Sequence, residues 1–160
     1  MKCKITNKKI DPFMSFGKMP IANGFIEKKD FDKEFFYNME VGFSDELSLL
    51  QLNDHPEPKS MFNEKYPFFT SSSEFMKIHF KDYADWLGKK YLKSDSNLIE
   101  IGSNDGTFLK NFKNKNVNTI GFEPSKNVAD KAISDGIKTY NNFFNLKNIE
   151  LIKENYNKVD

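Results

Sequence analysis

Residues 98–106 constrain this chain more than any other stretch. They read Leu-Ile-Glu-Ile-Gly-Ser-Asn-Asp-Gly, a short apolar run containing one acid, followed by two glycines that flank a polar turn. An apolar run of this length predicts a buried strand, and the glycines allow the chain to leave that strand sharply. In parallel sheets such a turn lies at the carboxyl end of the strand, which is where ligands bind.

Strand and helix patterns alternate from residue 97 onward. Strands are predicted at 98–101, 118–122 and 137–140. Helices are predicted to begin within 107–112, after Ser125 and at 146–154, and residues 156–160 read as the approach to a further strand. Alternation of this kind implies a parallel sheet with helices on its faces. We therefore expect an α/β fold over 97–160, in the form of an incomplete Rossmann-like sheet.

The first 70 residues differ from this pattern. Prolines and glycines interrupt any long helix, while short runs at 35–37 and 47–52 read as strands. We expect a small β-rich domain over 1–70. A linking helix is predicted within 71–96, where Ser71 and Glu74 fit a capping box at its start.

The glycine turn and its neighbours carry candidate ligand contacts. A helix N-terminus offers free N–H groups to a carboxylate. Glu100, near the end of the first strand, can accept from an amino group, and Glu123, after the second strand, can accept from both hydroxyls of a ribose. S-adenosylmethionine (SAM) combines these three groups. The predicted cofactor-binding residues are Glu100, Gly102, Asn104, Asp105, Gly106, Glu123, Asn142 and Phe143, the last two at an adenine pocket.

A nicotinamide or flavin dinucleotide is the alternative ligand. Its fingerprint is Gly-x-Gly-x-x-Gly, whereas this turn has Gly-x-x-x-Gly preceded by an acid. Glu100 and Asp105 would also repel a pyrophosphate, and SAM carries no phosphate. The sequence favours SAM for these two reasons.

Composition argues against several other classes of partner. The formal net charge is +1, and all 24 basic residues are lysine, whereas nucleic-acid surfaces normally use arginine. Cys3 is the single cysteine, so no internal disulfide can form. The start of the chain lacks an apolar signal core, and no apolar run approaches the roughly 20 residues that span a bilayer. We predict a cytoplasmic protein that binds neither nucleic acid nor membrane.

Several motifs in chain order resemble one family. They include Phe-Gly-Lys-Met-Pro-Ile-Ala-Asn at 16–23, Tyr-Pro-Phe-Phe-Thr-Ser-Ser-Ser at 66–73, Glu-Ile-Gly-Ser-Asn-Asp-Gly at 100–106 and Gly-Phe-Glu-Pro-Ser at 121–125. The chain resembles SAM-dependent C-methyltransferases of deoxysugar nucleotides, which carry an N-terminal zinc-binding domain. The resemblance implies a nucleotide-linked sugar as substrate and SAM as cofactor. It also implies that Tyr66 contacts the substrate.

The zinc ligands of that family are missing here. The resemblance implies two Cys-x-x-Cys pairs, but Cys3 has Thr6 at its partner position, and the second pair would fall at Ser44 and Leu47. Structural zinc requires four ligands, usually cysteine or histidine. We therefore predict no metal in this domain.

The resemblance also implies that family members continue well beyond residue 160. No candidate catalytic base is visible in this sequence. We expect the chain to be the N-terminal part of the enzyme, inactive alone, with the missing C-terminal methyltransferase half as its partner. The alternative is a non-catalytic binding or regulatory fragment, and a dinucleotide-binding enzyme is a third interpretation.

Overall fold

A computed structural model describes residues 1–153, 156 and 158–160 of the chain. The described residues divide into two compact units, Met1–Met61 and Phe62–Asp160. Over this described part, strands and helices both occur, so the chain is of mixed α/β class, with one antiparallel and one parallel sheet. None of the helices described is both long and apolar enough to cross a membrane.

The first unit is built on an antiparallel sheet in the order β1-β2-β3. Its strands are β1 (Pro12–Pro20), β2 (Phe36–Ser44) and β3 (Leu49–Leu52), and a short helix, α1 (Pro58–Met61), ends the unit. The runs predicted as strands at 35–37 and 47–52 overlap β2 and β3, which begin one and two residues later, at Phe36 and Leu49. The sequence did not predict β1, because prolines bound it and Gly17 interrupts it. Gly17 has φ +72° and lies within a register shift of the β1–β2 pairing.

The second unit contains a parallel sheet in the order β4-β5-β6, as the alternating pattern predicted. Its strands are β4 (Asn97–Ile101), β5 (Asn118–Phe122) and β6 (Thr139–Tyr140). Its helices are α2 (Glu74–Lys90), α3 (Lys126–Ser134) and α4 (Leu146–Lys153). Residue 154 of the predicted third helix, and residue 157 of the predicted approach to a strand, lie outside the described residues. Asp160 donates its backbone N–H to Asn97 O at 3.1 Å, beside the start of β4.

Helix α2 is part of the core of this unit. Ala84, fully buried on α2, packs with Phe108, Phe112, Ala132 and Ile137. The segment that was expected to link two domains therefore contributes to the hydrophobic core next to the sheet. A second buried cluster joins β5 to α4 and consists of residues 120 and 122 of β5 and residue 152 of α4.

Two local predictions in this unit are wrong. The helix expected within 107–112 is a short 3₁₀ helix, Leu109–Phe112. The Asn111 side-chain amide donates to the carbonyls of Thr107 and Phe108, both at 3.0 Å, and so competes with helical hydrogen bonds there. The N-cap of α2 is Ser73, whose hydroxyl accepts from Met76 N at 3.3 Å, rather than Ser71.

Candidate functional site

The turn after β4 opens at Gly102. The N–H groups of Gly102 and Ser103 both donate to the carbonyl of Phe122 at the end of β5, at 2.8 and 3.0 Å. Gly102 has φ +72°, a backbone conformation that side chains disfavour. A Cβ at this position would have no atom within 4 Å. The glycine is therefore required by the backbone turn, and the space beside it is open.

Glu123 joins the turns that follow β4 and β5. Its Oε2 accepts from Asn104 N at 3.0 Å, and its Oε1 accepts from Ser125 N at 2.7 Å. The side chain is 5% exposed. These two hydrogen bonds hold the Glu123 carboxylate in one orientation. Each of its oxygens can accept a second hydrogen bond, so the carboxylate can still bind a ligand.

Gly121 lets the same two turns approach each other closely. A Cβ on Gly121 would lie 2.3 Å from Ser103 Oγ and 2.8 Å from Ser103 Cβ. No side chain fits there without displacing the turn after β4. Gly121 pairs with Glu100 across the β4–β5 ladder, so it lies directly beside the predicted ligand turn.

A cavity of about 300 Å³ lies at the carboxyl ends of β4 and β5. It brings together five of the residues predicted from sequence, namely Tyr66, Gly102, Asn104, Glu123 and Phe143. Its volume is at the lower end of the range found for small-molecule sites. The structure adds three aromatic wall residues that sequence reasoning missed: Phe62, Phe122 and Phe144. Phe122 lies within the Gly-Phe-Glu-Pro-Ser motif at 121–125, directly before Glu123, and this position was the available signal.

Aromatic rings form one wall of this cavity. The ring centroid of Phe62 lies 5.7 Å from that of Tyr66 and 6.4 Å from that of Phe143, and Tyr66 lies 5.7 Å from Phe68. Such spacings are typical of favourable aromatic pairs. Burial, and secondarily the charge of Glu123, raise the pKa of Tyr66, so its hydroxyl stays a hydrogen-bond donor at neutral pH.

Residues 62–73, which we call the aromatic segment, are held against the glycine turn through their backbone. Asn104 Oδ1 accepts from Thr70 N at 2.8 Å, while Asn104 Nδ2 donates to Phe68 O at 3.0 Å. Asn127 Nδ2, on α3, donates to Tyr66 O at 2.8 Å. Side chains of the turn and of α3 therefore fix where this segment lies.

Asp105 also anchors the aromatic segment. Its Oδ2 accepts from Ser71 N at 2.8 Å, and its Oδ1 accepts from Thr107 Oγ1 at 2.6 Å. Burial alone would raise the pKa of Asp105, but hydrogen bonds from Ser71 and Thr107 outweigh it and lower that pKa. The carboxylate is therefore engaged with the protein itself, and it is not on the cavity wall.

Glu100 is the third carboxyl near the turn, and the residue is half-buried. Its Oε2 is buried and has no hydrogen-bond partner among the described residues. Burial, followed by the charges of Asp105 and Glu123, raises the pKa of Glu100 to about 8. Glu100 is therefore largely protonated at neutral pH, and a nearby cation would favour its ionised form.

Two other predicted contacts lie elsewhere. Gly106 has φ +73°, and a Cβ there would lie 3.0 Å from Ile137 and 3.3 Å from Ala132, so this glycine lets the turn pack against the core. Asn142 is exposed, and its N–H donates to Tyr140 O at 2.8 Å. As ligand contacts, all the residues predicted from the sequence stay predictions, including the five that line the cavity.

A second cavity, of about 410 Å³, lies at the C-terminal end of α2. Lys89, Lys93 and Lys115 line it beside Asp85. Lys115 already pairs with Asp85 at 2.5 Å. None of the residues predicted from sequence reaches this cavity, so the candidate site is the one at the glycine turn.

The sequence of this chain is similar to those of known proteins. Residues 3–62 match the family described as "Putative zinc binding domain". The chain is also similar to the C-methyltransferase NovU of Streptomyces niveus, at 26% identity over 128 residues, which make up 79% of this chain and 30% of that protein. The chain resembles the N-terminal portion of a methyltransferase. This confirms the predicted resemblance, and the chain spans about 30% of the length of this relative.

The donor set of a zinc site is not found in the region that matches this family. Residues 3–62 contain one cysteine and one histidine, Cys3 and His55. Cys3 is buried, whereas His55 is exposed, with Nδ1 3.1 Å from the carbonyl of Pro56. Across the described residues, no three His, Cys, Asp or Glu side chains lie together as metal ligands would. The residues present do not fit a four-coordinate structural zinc.

Proposed function

We propose that this chain is the SAM-binding N-terminal part of a SAM-dependent C-methyltransferase, with residues 97–160 forming part of a Rossmann-like sheet. One observation carries the proposal. Glu123, anchored by two backbone N–H groups, lies with the open turn at Gly102 on one cavity at the ends of adjacent parallel strands. Ligands of parallel α/β sheets bind at this edge.

The residues of the cavity suit the parts of SAM. The free lone pairs of Glu123 can accept from ribose hydroxyls, and the rings of Phe62 and Phe143 offer faces for an adenine. Glu100 does not line the cavity, but it lies next to the wall residue Ile101, and its buried, unpartnered Oε2 is the proposed acceptor for the amino group. When bound, SAM supplies an electrophilic methyl group on its sulfonium. This chain's part in the reaction is to bind and orient that cofactor in a site shielded by the aromatic segment.

The same cavity suits a dinucleotide poorly. Among the described residues, no lysine lies on its wall, while Glu123 does, and Glu100 and Asp105 are close enough to interact electrostatically. The ionised carboxylates of Glu123 and Asp105 would repel a pyrophosphate. A sulfonium and an ammonium are cations, and they are attracted by the same groups.

The methyl acceptor belongs to the same proposal. The family resemblance, with Tyr66 on the cavity wall, supports a nucleotide-linked sugar as substrate. Methylation at carbon also needs a base that removes a proton from that carbon. We propose that a C-terminal methyltransferase half supplies this base and completes the enzyme, in the cytoplasm.

Calorimetric titration of the 160-residue chain with SAM and with NAD⁺ tests the cofactor proposal. We expect SAM to bind and NAD⁺ to show no binding at the same concentrations. Phe143→Ala, which removes an aromatic wall without touching the Glu123 hydrogen bonds, is expected to weaken SAM binding about tenfold or more. Glu57→Gln, an exposed change in the other unit, serves as the control. Tighter binding of NAD⁺, or a folded chain that binds no SAM, would overturn the proposal.

A further inference from the structure

The first ten residues fold back on themselves in the first unit. Cys3 N donates to Lys8 O at 2.8 Å, and Asn7 N donates to Cys3 O at 2.9 Å. Thr6 N lies 3.4 Å from Cys3 Sγ, to which it donates. The turn therefore points the N–H of Thr6 at the sulfur of a completely buried cysteine.

Gln51 joins this turn to the sheet. From β3, its Nε2 donates to Cys3 Sγ at 3.1 Å, and its Oε1 accepts from Lys4 N at 2.8 Å. Gln51 is 8% exposed and Cys3 is 0% exposed, so the bond between them is buried, while the bond from Lys4 N is partly buried. A single amide thus satisfies a buried sulfur and a backbone N–H that lie 48 and 47 residues away in the sequence.

The N-terminal turn is also fitted tightly to β2. A Cβ on Gly42 would lie 2.6 Å from the Met1 sulfur and 3.4 Å from Ile10. The N-terminal amine of Met1 donates to Ile10 O at 3.1 Å. The turn is therefore held by packing on one side and by the Gln51 amide on another.

We propose that the Cys3–Gln51 pair replaces a structural metal ion, so that this unit folds without zinc. A structural zinc joins segments that are distant in sequence through its ligands, and folding then depends on the metal. Here the amide of Gln51 makes an equivalent connection between the N-terminal turn and β3. The hydrogen bonds from Gln51 and Thr6 also lower the pKa of the Cys3 thiol to about 6, as suits a sulfur that accepts from two donors.

Metal content and chelation test the proposal on the full chain. After purification from zinc-supplemented medium, we expect the protein to hold far less than one equivalent of zinc by elemental analysis. We also expect the same melting temperature with and without EDTA. One equivalent of bound zinc, or loss of structure on chelation, would overturn the proposal. Neither result depends on SAM binding, so the two proposals fail separately.

Substitution of the amide tests its role directly. Gln51→Leu keeps a similar volume but removes both hydrogen bonds, and we expect amide exchange at Lys4 to become about tenfold faster. Asn53→Leu, which removes an exposed bond to Glu40, is the matched control and should leave Lys4 unchanged. Unchanged exchange at Lys4 in Gln51→Leu would refute the role of the pair. If that variant does not fold, Cys3→Ala provides the same exchange measurement.

Discussion

The backbone N–H of Asn104 donates to Oε2 of Glu123 at 3.0 Å. Asn104 follows β4 and Glu123 follows β5, so this bond connects the ends of two parallel strands through the carboxylate. Asn104 adopts φ +50°, a left-handed conformation that asparagine tolerates better than most residues. The proposed ligand carboxylate is thus positioned by the turn that provides the opening beside it.

Gly121→Ala is predicted to destabilise the second unit by roughly 1–3 kcal/mol, as overpacking does. The new Cβ would lie 2.3 Å from Ser103 Oγ, and the turn after β4 must shift to admit it. Thermal and urea unfolding measure the loss. The double variant Gly121→Ala, Ser103→Gly removes both close atoms and should recover most of that stability. Equal losses in the single and double variants would show that Ser103 is not the obstacle.

Asn104→Gly is predicted to loosen the aromatic segment while the backbone turn is kept. Glycine accepts the positive φ of this position, but the bonds to Thr70 N and Phe68 O are lost. We expect hydrogen exchange at the Thr70 amide to become about tenfold faster, which corresponds to roughly 1.4 kcal/mol.

The control for this change is Asn116→Gly, since Asn116 is also left-handed, with φ +49°. Its side chain contacts Ser94 and Asp95, well away in sequence from the aromatic segment. Exchange at Thr70 should not change in this variant. The same acceleration in both variants would mean that the effect is general and not due to the Asn104 bonds.

The parallel sheet could be predicted from sequence because its signals are local. Apolar runs, glycines at turns and an apolar helical stripe specify β4, β5 and α3 within a few residues of their observed bounds. The first sheet was harder to predict. Most side chains of β1 are exposed, so the strand shows no alternation of buried and exposed positions that a pattern could report.

The candidate site also contains some residues whose roles could be predicted from the sequence and others whose roles could not. Gly102 and Glu123 follow strands directly, so their meeting at one sheet edge was predictable. The structural roles of Asp105 and Gly106 could not be predicted, because the residues they contact are distant in sequence. The Asp105 carboxylate accepts from Ser71 N, and Gly106 packs against Ile137. The Cys3–Gln51 pair is a similar case, since no local pattern marks a glutamine as the partner of a buried sulfur.

Ser73→Ala is predicted to cost about 1 kcal/mol, because its hydroxyl caps α2 by accepting from Met76 N at 3.3 Å. Ser71→Ala should cost less, since it keeps the backbone N–H bond from residue 71 to Asp105 and removes only a side-chain hydrogen bond to the same carboxylate. Paired urea titrations give the two differences in stability. A larger loss in Ser71→Ala would place the functional cap at the position first predicted from the sequence.

Glu100→Gln is predicted to flatten the pH dependence of stability. The folded-state pKa of Glu100 is raised from its ordinary 4.5 to about 8 by burial and by the charges of Asp105 and Glu123. The folded protein therefore keeps a proton that the unfolded chain releases, and stability falls as pH rises from about 4.5 to about 8. The amide of glutamine mimics the protonated acid and does not titrate.

The measurement is urea unfolding of wild type and Glu100→Gln at a series of pH values between about 5 and about 8. We expect wild type to lose roughly 1–3 kcal/mol more than the variant across this range, since one pKa unit corresponds to about 1.4 kcal/mol. Glu64→Gln, an exposed change in the same unit, should follow the wild-type curve. Parallel curves for wild type and Glu100→Gln would mean that Glu100 is ionised in the folded protein, and that the buried Oε2 has found a partner.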